Sequence, residues 1–160
     1  MKKILHILLI ILLVPISSYA QWLWSKHIGS GAFNFPNENV LSLIYDGTNI
    51  YAIGFYGGNL YMPQDTLVSN GLNDLFITKF DLSGNQIWAQ TIGGNFMQPS
   101  DGEYGYCAFD PVCNCIYVSG QVIGTVNFGG ITFGGSFGSD DIFLAKMDLN
   151  GNFIWVKKGG

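Results

Sequence analysis

The chain contains no arginine among its 160 residues, so all seven of its basic side chains are lysines. Lys2 and Lys3 sit at the very start. The other five, Lys26, Lys79, Lys146, Lys157 and Lys158, face eleven acidic residues. Nucleic-acid surfaces rely on basic patches and, very often, on bidentate arginine; no nucleic-acid partner is expected. Histidine is nearly absent as well, with His27 alone beyond the first 20 residues. Chemistry that needs a histidine base therefore has one candidate. Only three cysteines occur, Cys107, Cys113 and Cys115, all close together in sequence. Past residue 20 no apolar run reaches the roughly 20 residues that a membrane-spanning helix requires, and no stretch there combines helical periodicity with caps. Few charges, many aromatics and 22 glycines remain. That is the composition of a glycine-turned, all-β domain.

Residues 1–20 read as a secretory signal peptide. Lys2 and Lys3 form the positive start, residues 4–14 a short apolar core, Pro15 breaks it, and Ser18-Tyr19-Ala20 offers the small residues of a cleavage site. Cleavage would leave Gln21 as the first residue. No cysteine follows Ala20, which argues against a lipoprotein anchor. A secreted or cell-surface location is the expectation.

The rest is organised by repetition. Residues 74–94, DLFITKFDLSGNQIWAQTIGG, are matched by residues 141–160, DIFLAKMDLNGNFIWVKKGG. Asp74 and Asp141, Lys79 and Lys146, Gly84 and Gly151, and Trp88 and Trp155 each lie 67 residues apart. A partial copy, WSKHIG, places Trp24 64 residues before Trp88. Each copy reads as a hairpin: a β-branched and aromatic strand, a turn of Asp-Leu-Ser-Gly-Asn or Asp-Leu-Asn-Gly-Asn, then a second strand carrying the tryptophan. Two shorter strands precede each hairpin, 40–46 and 49–56 in the first copy and 103–110 and 115–122 in the second. A long glycine-rich connection follows them, read as exposed loop in 124–139. Four antiparallel strands at this period predict a propeller blade. The expected fold is all-β: a partial β-propeller of two four-stranded antiparallel blades plus a leading strand. The divisions are 1–20 signal peptide, 21–39 leading strand and loop, 40–93 first blade and 94–160 second blade.

The second copy carries Ala108-Phe109-Asp110, Ile116-Tyr117-Val118-Ser119-Gly120, Phe128-Gly129-Gly130 and the run from Asp141. This pattern resembles the SBBP-type beta-propeller repeat of secreted bacterial proteins. The first copy departs from it at Tyr45-Asp46 and at Met62-Pro63. The resemblance implies an extracellular propeller, often inside long surface proteins, with no assigned chemistry. The Asp81-Leu82-Ser83-Gly84-x-x-x-Trp88 stretch is also similar to the tryptophan-docking repeat of quinoprotein propellers, although Lys79 and Lys146 stand where that repeat has a small residue.

The chemical signals favour construction over catalysis. Gly134-Gly135-Ser136-Phe137-Gly138 has the spacing of a nucleophile elbow, but that motif works on a strand-to-helix turn with a downstream histidine. Each Asp-containing turn offers one carboxylate, whereas calcium takes six to eight oxygens; Asp140-Asp141 and Asn73-Asp74 read as strand starts. The three cysteines lack paired zinc spacing and suit a disulfide in an exported protein, with three pairings open and one thiol left over. Lys79 and Lys146 read as lysines whose stems pack while their amines find an oxygen. Trp88 and Trp155 read as equivalent, buried packing anchors. The expectation is a non-enzymatic binding or spacer scaffold, without catalytic residues, metal or cofactor. Its partners would be an extracellular protein or glycan, and further blades of the same parent chain, of which this would be the N-terminal piece. In such a parent, residues 22–28 would add the outermost strand to the last blade. The competing expectation is a quinoprotein-like dehydrogenase domain that uses pyrroloquinoline quinone.

Overall fold

The structure, a computed structural model, describes residues 24–30, 38–71, 73–94, 105–122, 124–134 and 141–159. The expected signal peptide lies outside the described residues, as do Ser136 and Asp140. Within them the protein is all-β and antiparallel, and no helix is long and apolar enough to cross a membrane.

Each copy of the repeat builds one four-stranded set. The first comprises β2 (Asn39–Tyr45), β3 (Asn49–Tyr56), β6 (Asp74–Asp81) and β7 (Gln86–Gly94), paired in that order. The second comprises β8 (Gly105–Asp110), β9 (Cys115–Val122), β12 (Asp141–Asp148) and β13 (Phe153–Gly159), again paired in chain order. Both long hairpins bulge at the same place, between Lys79 and Phe80 and between Lys146 and Met147. The extra residue on the second strand sets the register that aligns Lys79 with Trp88 and Lys146 with Trp155. Gly54 is required where β2 meets β3. A Cβ there would stand 2.0 Å from the Asn39 carbonyl oxygen and 2.6 Å from the Phe76 ring.

The long connections are not loops. Each contains a short hairpin, β4 (Asn59–Tyr61) with β5 (Thr66–Val68), and β10 (Thr125–Phe128) with β11 (Ile131–Gly134). Alternation drives them: Thr125 and Asn127 are exposed while Val126 and Phe128 are buried. Gly129 and Gly130 both take positive φ, 55° and 101°, as a two-residue hairpin turn demands. The expected loop at 124–139 is thus corrected over 125–134, and 135–139 lie outside the described residues.

These hairpins reach across to the neighbouring unit. β10 pairs with β7, through Val126 with Gly94, Asn127 with Gly93 and Phe128 with Ile92, which extends the first sheet to six strands. At the same time Phe128 packs edge-on against Phe143 of the second sheet, with ring centroids 4.9 Å apart. The equivalent strand β4 pairs with β1 (Gly29–Ser30), through Gly29 with Tyr61 and Ser30 with Leu60. The leading segment therefore stands where the last strand of a preceding unit would stand. The expected strand over 21–28 is corrected: residues 24–28 are not in a strand, and among the described residues the pairing falls on Gly29 and Ser30.

The two four-stranded sets pack face to face. Tyr51, Ile53, Leu75, Ile77 and Ile92 of the first share one core with Ile116, Val118, Phe143, Ala145 and Met147 of the second. A smaller core of Tyr56, Leu60, Met62 and Phe76 fills the opposite face of the first sheet beneath the β4–β5 hairpin. β6 is consequently covered on both faces, as a continuous apolar strand should be. β12 alternates instead: Phe143, Ala145 and Met147 are buried, whereas Ile142 and Leu144 are exposed.

Candidate functional site

The side chains with most chemistry in the repeat form one row across three strands. Tyr51, Lys79 and Trp88 are successive cross-strand neighbours on β3, β6 and β7; Tyr117, Lys146 and Trp155 repeat the row on β9, β12 and β13. In the first row the lysine ammonium stands 5.3 Å from the tyrosine ring centre, and the tyrosine and tryptophan rings are 6.0 Å apart. In the second row the distances are 5.7 Å and 6.1 Å. Both tryptophans are partly buried, and Trp88 packs against the shared core.

The first row is covered by the turn of the second unit. Gly151 lies 3.5 Å from the Trp88 ring when given a Cβ, Lys79 Nζ donates to the Leu149 carbonyl at 3.0 Å, and Gln90 Nε2 donates to the Gly151 carbonyl at 2.7 Å. The same contact occurs one unit earlier. Trp24 rests on Gly84, and its Nε1 donates to the Leu82 carbonyl at 2.9 Å. Leu82 and Leu149 hold the same place in the repeat, so the carbonyl that takes the Trp24 N–H is given to Lys79 in the second copy. Trp88 Nε1 is left buried without a partner.

The turns themselves are built by their aspartates. Asp81 Oδ1 accepts from the Ser83 and Asn85 amides, and Oδ2 from Asn85 Nδ2. Asp148 does the same with Asn150 and Asn152. Gly84 and Gly151 take φ of 79° and 95°, where only glycine is unstrained. The Asn85 side chain and the turn amides hold Asp81 below the usual carboxylate range. Slight burial pulls Asp148 upward, but the bonds from Asn152, Asn150 and Gly151 outweigh it and hold Asp148 low. Asp46 follows the same logic: burial opposes, and Tyr51, Thr48 and Asn49 win, holding it far below its ordinary value. Burial, then the bond to Asp46, pushes the Tyr51 phenol well above its usual range.

The strand-start carboxylates differ between copies. Asp141 pairs with Lys158 at 2.8 Å. Thr91 stands in the corresponding place of the first copy, and Asp74 keeps a bond from the Asn70 amide while Oδ1 has no partner. Burial raises the Asp74 carboxyl. Gly93 makes room for it, since a Cβ there would stand 2.1 Å from the Asp74 carboxyl carbon.

The cysteines resolve into a pair and a single. Cys113 and Cys115 form a disulfide across the tight turn, with Asn114 between them at φ 48°. Asp110 lies beside the two sulfurs, its Oδ1 occupied by the Val112 amide. Cys107 is a free, half-buried thiol 3.4 Å from Ser42 Oγ between the two units, and burial pushes its pKa up. His27 is exposed on the leading segment. The structure brings the lysines and tryptophans together; the cysteine turn and His27 do not join them, and 135–138 of the glycine-rich segment lie outside the described residues. The repeat matches Tyr51 with Tyr117, but only the register places them beside Lys79 and Lys146.

No protein-family model matches the chain, and no curated protein matches it.

Proposed function

We propose that the chain is an exported scaffold of propeller-type repeats, two blades and a leading strand, that acts as a binding or spacing module outside the cell. The observation that carries this reading is where the reactive side chains are spent. Asp81 and Asp148 hold turns, Lys79 serves a carbonyl of the next unit, and Cys113 and Cys115 are joined to each other. One unit interlocks with the next through main-chain pairing of β10 with β7 and through Trp88 set against the Gly151 turn. Rigid frames of this kind present ligands on their loops, and the expected partner class is an extracellular protein or a glycan.

Two experiments test this. Expression with the leader in an exporting host should deliver a chain beginning at Gln21 outside the inner membrane; retention with an intact leader counts against export. Glycan-array and pull-down screens of that product should find a ligand without turnover. The dehydrogenase reading predicts instead that reconstitution with pyrroloquinoline quinone and calcium gives dye-linked alcohol oxidation. Such activity would replace the scaffold reading.

A further inference from the structure

The buried interface between the units has two halves, and each half appears again, uncovered, at one end of the molecule. One half is the face of the first unit that carries Leu75, Ile77 and the Tyr51–Lys79–Trp88 row. Its counterparts on the second unit are Ile142, Leu144 and the Tyr117–Lys146–Trp155 row. Leu75 and Ile77 are 3% and 0% exposed, whereas Ile142 and Leu144 are 59% and 44% exposed. The other half is the face of the second unit that carries Cys107 and Phe109, both packed into the shared core. Its counterparts on the first unit are Leu43 and Tyr45, which are 65% and 56% exposed. Exposed apolar side chains that cluster on a face, unlike scattered ones, mark an interaction surface.

We propose that a second copy of this chain docks on the outer face of the second unit, head to tail, by repeating the internal interface. The Ile142 and Leu144 face of one copy meets the Leu43 and Tyr45 face of the next. β13 replaces the partner's β1 along β4, as β7 already lies along β10. Trp155 replaces Trp24 over Gly84 and the Leu82 carbonyl. Charge supports the match: Lys146 and Lys157 occupy the positions of Lys79 and Gln90, and the turn they meet carries Asp81. The place taken is held, among the described residues, by the Gly29 and Ser30 pairing with β4 and by Trp24 over Gly84 and the Leu82 carbonyl. Such a contact is heterologous, so it closes into a ring or runs on as a filament. The proposal rests on the repeat-scaffold reading. A folded, exported chain that stays monomeric defeats the assembly alone, whereas dye-linked oxidation defeats the scaffold.

The test uses the full chain expressed with its leader in an exporting host, examined by sedimentation. The expected result is concentration-dependent association of the unmodified protein. The variants I142D/L144D and L43D/Y45D each block one face at exposed positions. Each alone should sediment as a monomer with an unchanged far-ultraviolet spectrum. Mixed in equal amounts they should form one-to-one dimers, because each keeps the face that the other has lost. Trp24→Ala loosens the segment that must be displaced and should tighten association of the otherwise unmodified chain about tenfold. An unmodified chain that remains monomeric, a mixture that stays monomeric, or association unmoved by Trp24→Ala would overturn the proposal. Assembly of either double variant alone, to the extent of the unmodified chain, would overturn it too.

Discussion

At the level of single residues, the carboxylates held away from their ordinary value pull stability in opposite directions with pH. Asp148 and Asp46 are held below 3.8, their ordinary value. Their contribution is present above the unfolded value and is lost as pH falls through the folded one. Asp148→Ala should lower stability by about 1–2 kcal/mol at neutral pH, the worth of a few partly exposed charge-assisted bonds, and denaturant titration measures it. Asp74 is raised above 3.8 by burial. Stability contributed by its protonated form is full below the unfolded value and declines as pH rises from there to the folded value. Asp74→Asn should therefore stabilise the protein at neutral pH and flatten its pH dependence above 3.8. Equal pH profiles for the two proteins would show that Oδ1 meets a partner in solution. The orphaned indole gives a third residue-level test. Lys79→Met removes the amine from the Leu149 carbonyl and frees that oxygen for Trp88 Nε1, so its cost should fall within about 1 kcal/mol. The same change combined with Trp88→Phe should cost more than the two separate changes added together, as a double-mutant cycle would read directly.

Among the elements, the long repeated hairpins were legible and the short ones were not. The 67-residue match fixes β6 and β7 against β12 and β13, because turn aspartate, glycine and tryptophan each leave an unmistakable letter. β3 and β9 fall on the residues expected, 49–56 and 115–122. The β4–β5 and β10–β11 hairpins were hidden because each strand spans only three or four residues. Glycine flanks them on both sides, so their alternation is drowned by loop composition. Val126, Phe128 and the Gly129-Gly130 turn were nevertheless a usable signal. The tyrosine–lysine–tryptophan row was half legible: repetition marks Tyr51 and Tyr117 as well as the lysines and tryptophans, while their alignment into one row needed a register that no sequence pattern states. Burial was harder still. Trp88 and Trp155 are the same letter at the same offset, yet only Trp88 has a turn of a following unit against its ring. Trp88→Ala should accordingly cost about 3 kcal/mol, the low end for a buried aromatic, and Trp155→Ala about 1 kcal/mol. Equal costs by thermal denaturation would mean that both rings are covered alike in solution.

For the molecule as a whole, the question is whether two units melt as one. Repeat proteins gain stability from intrinsic terms and nearest-neighbour terms, and weak neighbours allow one unit to unfold alone. Here the neighbour term is large for a structural reason. β10 belongs by sequence to the second unit and by hydrogen bonding to the first sheet, and Phe128 at its end packs against both Phe143 and Phe153, with centroids 4.9 Å and 5.4 Å away. Unfolding the second unit strips the first sheet of its outer two strands, and unfolding the first removes the strand on which β10 lies. A single cooperative transition is therefore expected by calorimetry, with tyrosine and tryptophan probes coincident. Phe128→Ala removes a fully buried ring and should cost about 3–5 kcal/mol. Its more telling effect is on coupling: the melt should split into two transitions, with hydrogen-exchange protection lost first in β12 and β13 while β3 and β6 remain protected. A Phe128→Ala protein that still melts in one step would place the coupling elsewhere, in the lysine and glutamine contacts from Lys79 and Gln90 to the Leu149 and Gly151 carbonyls. Lys79→Met with Gln90→Ala would then be the change that separates the units.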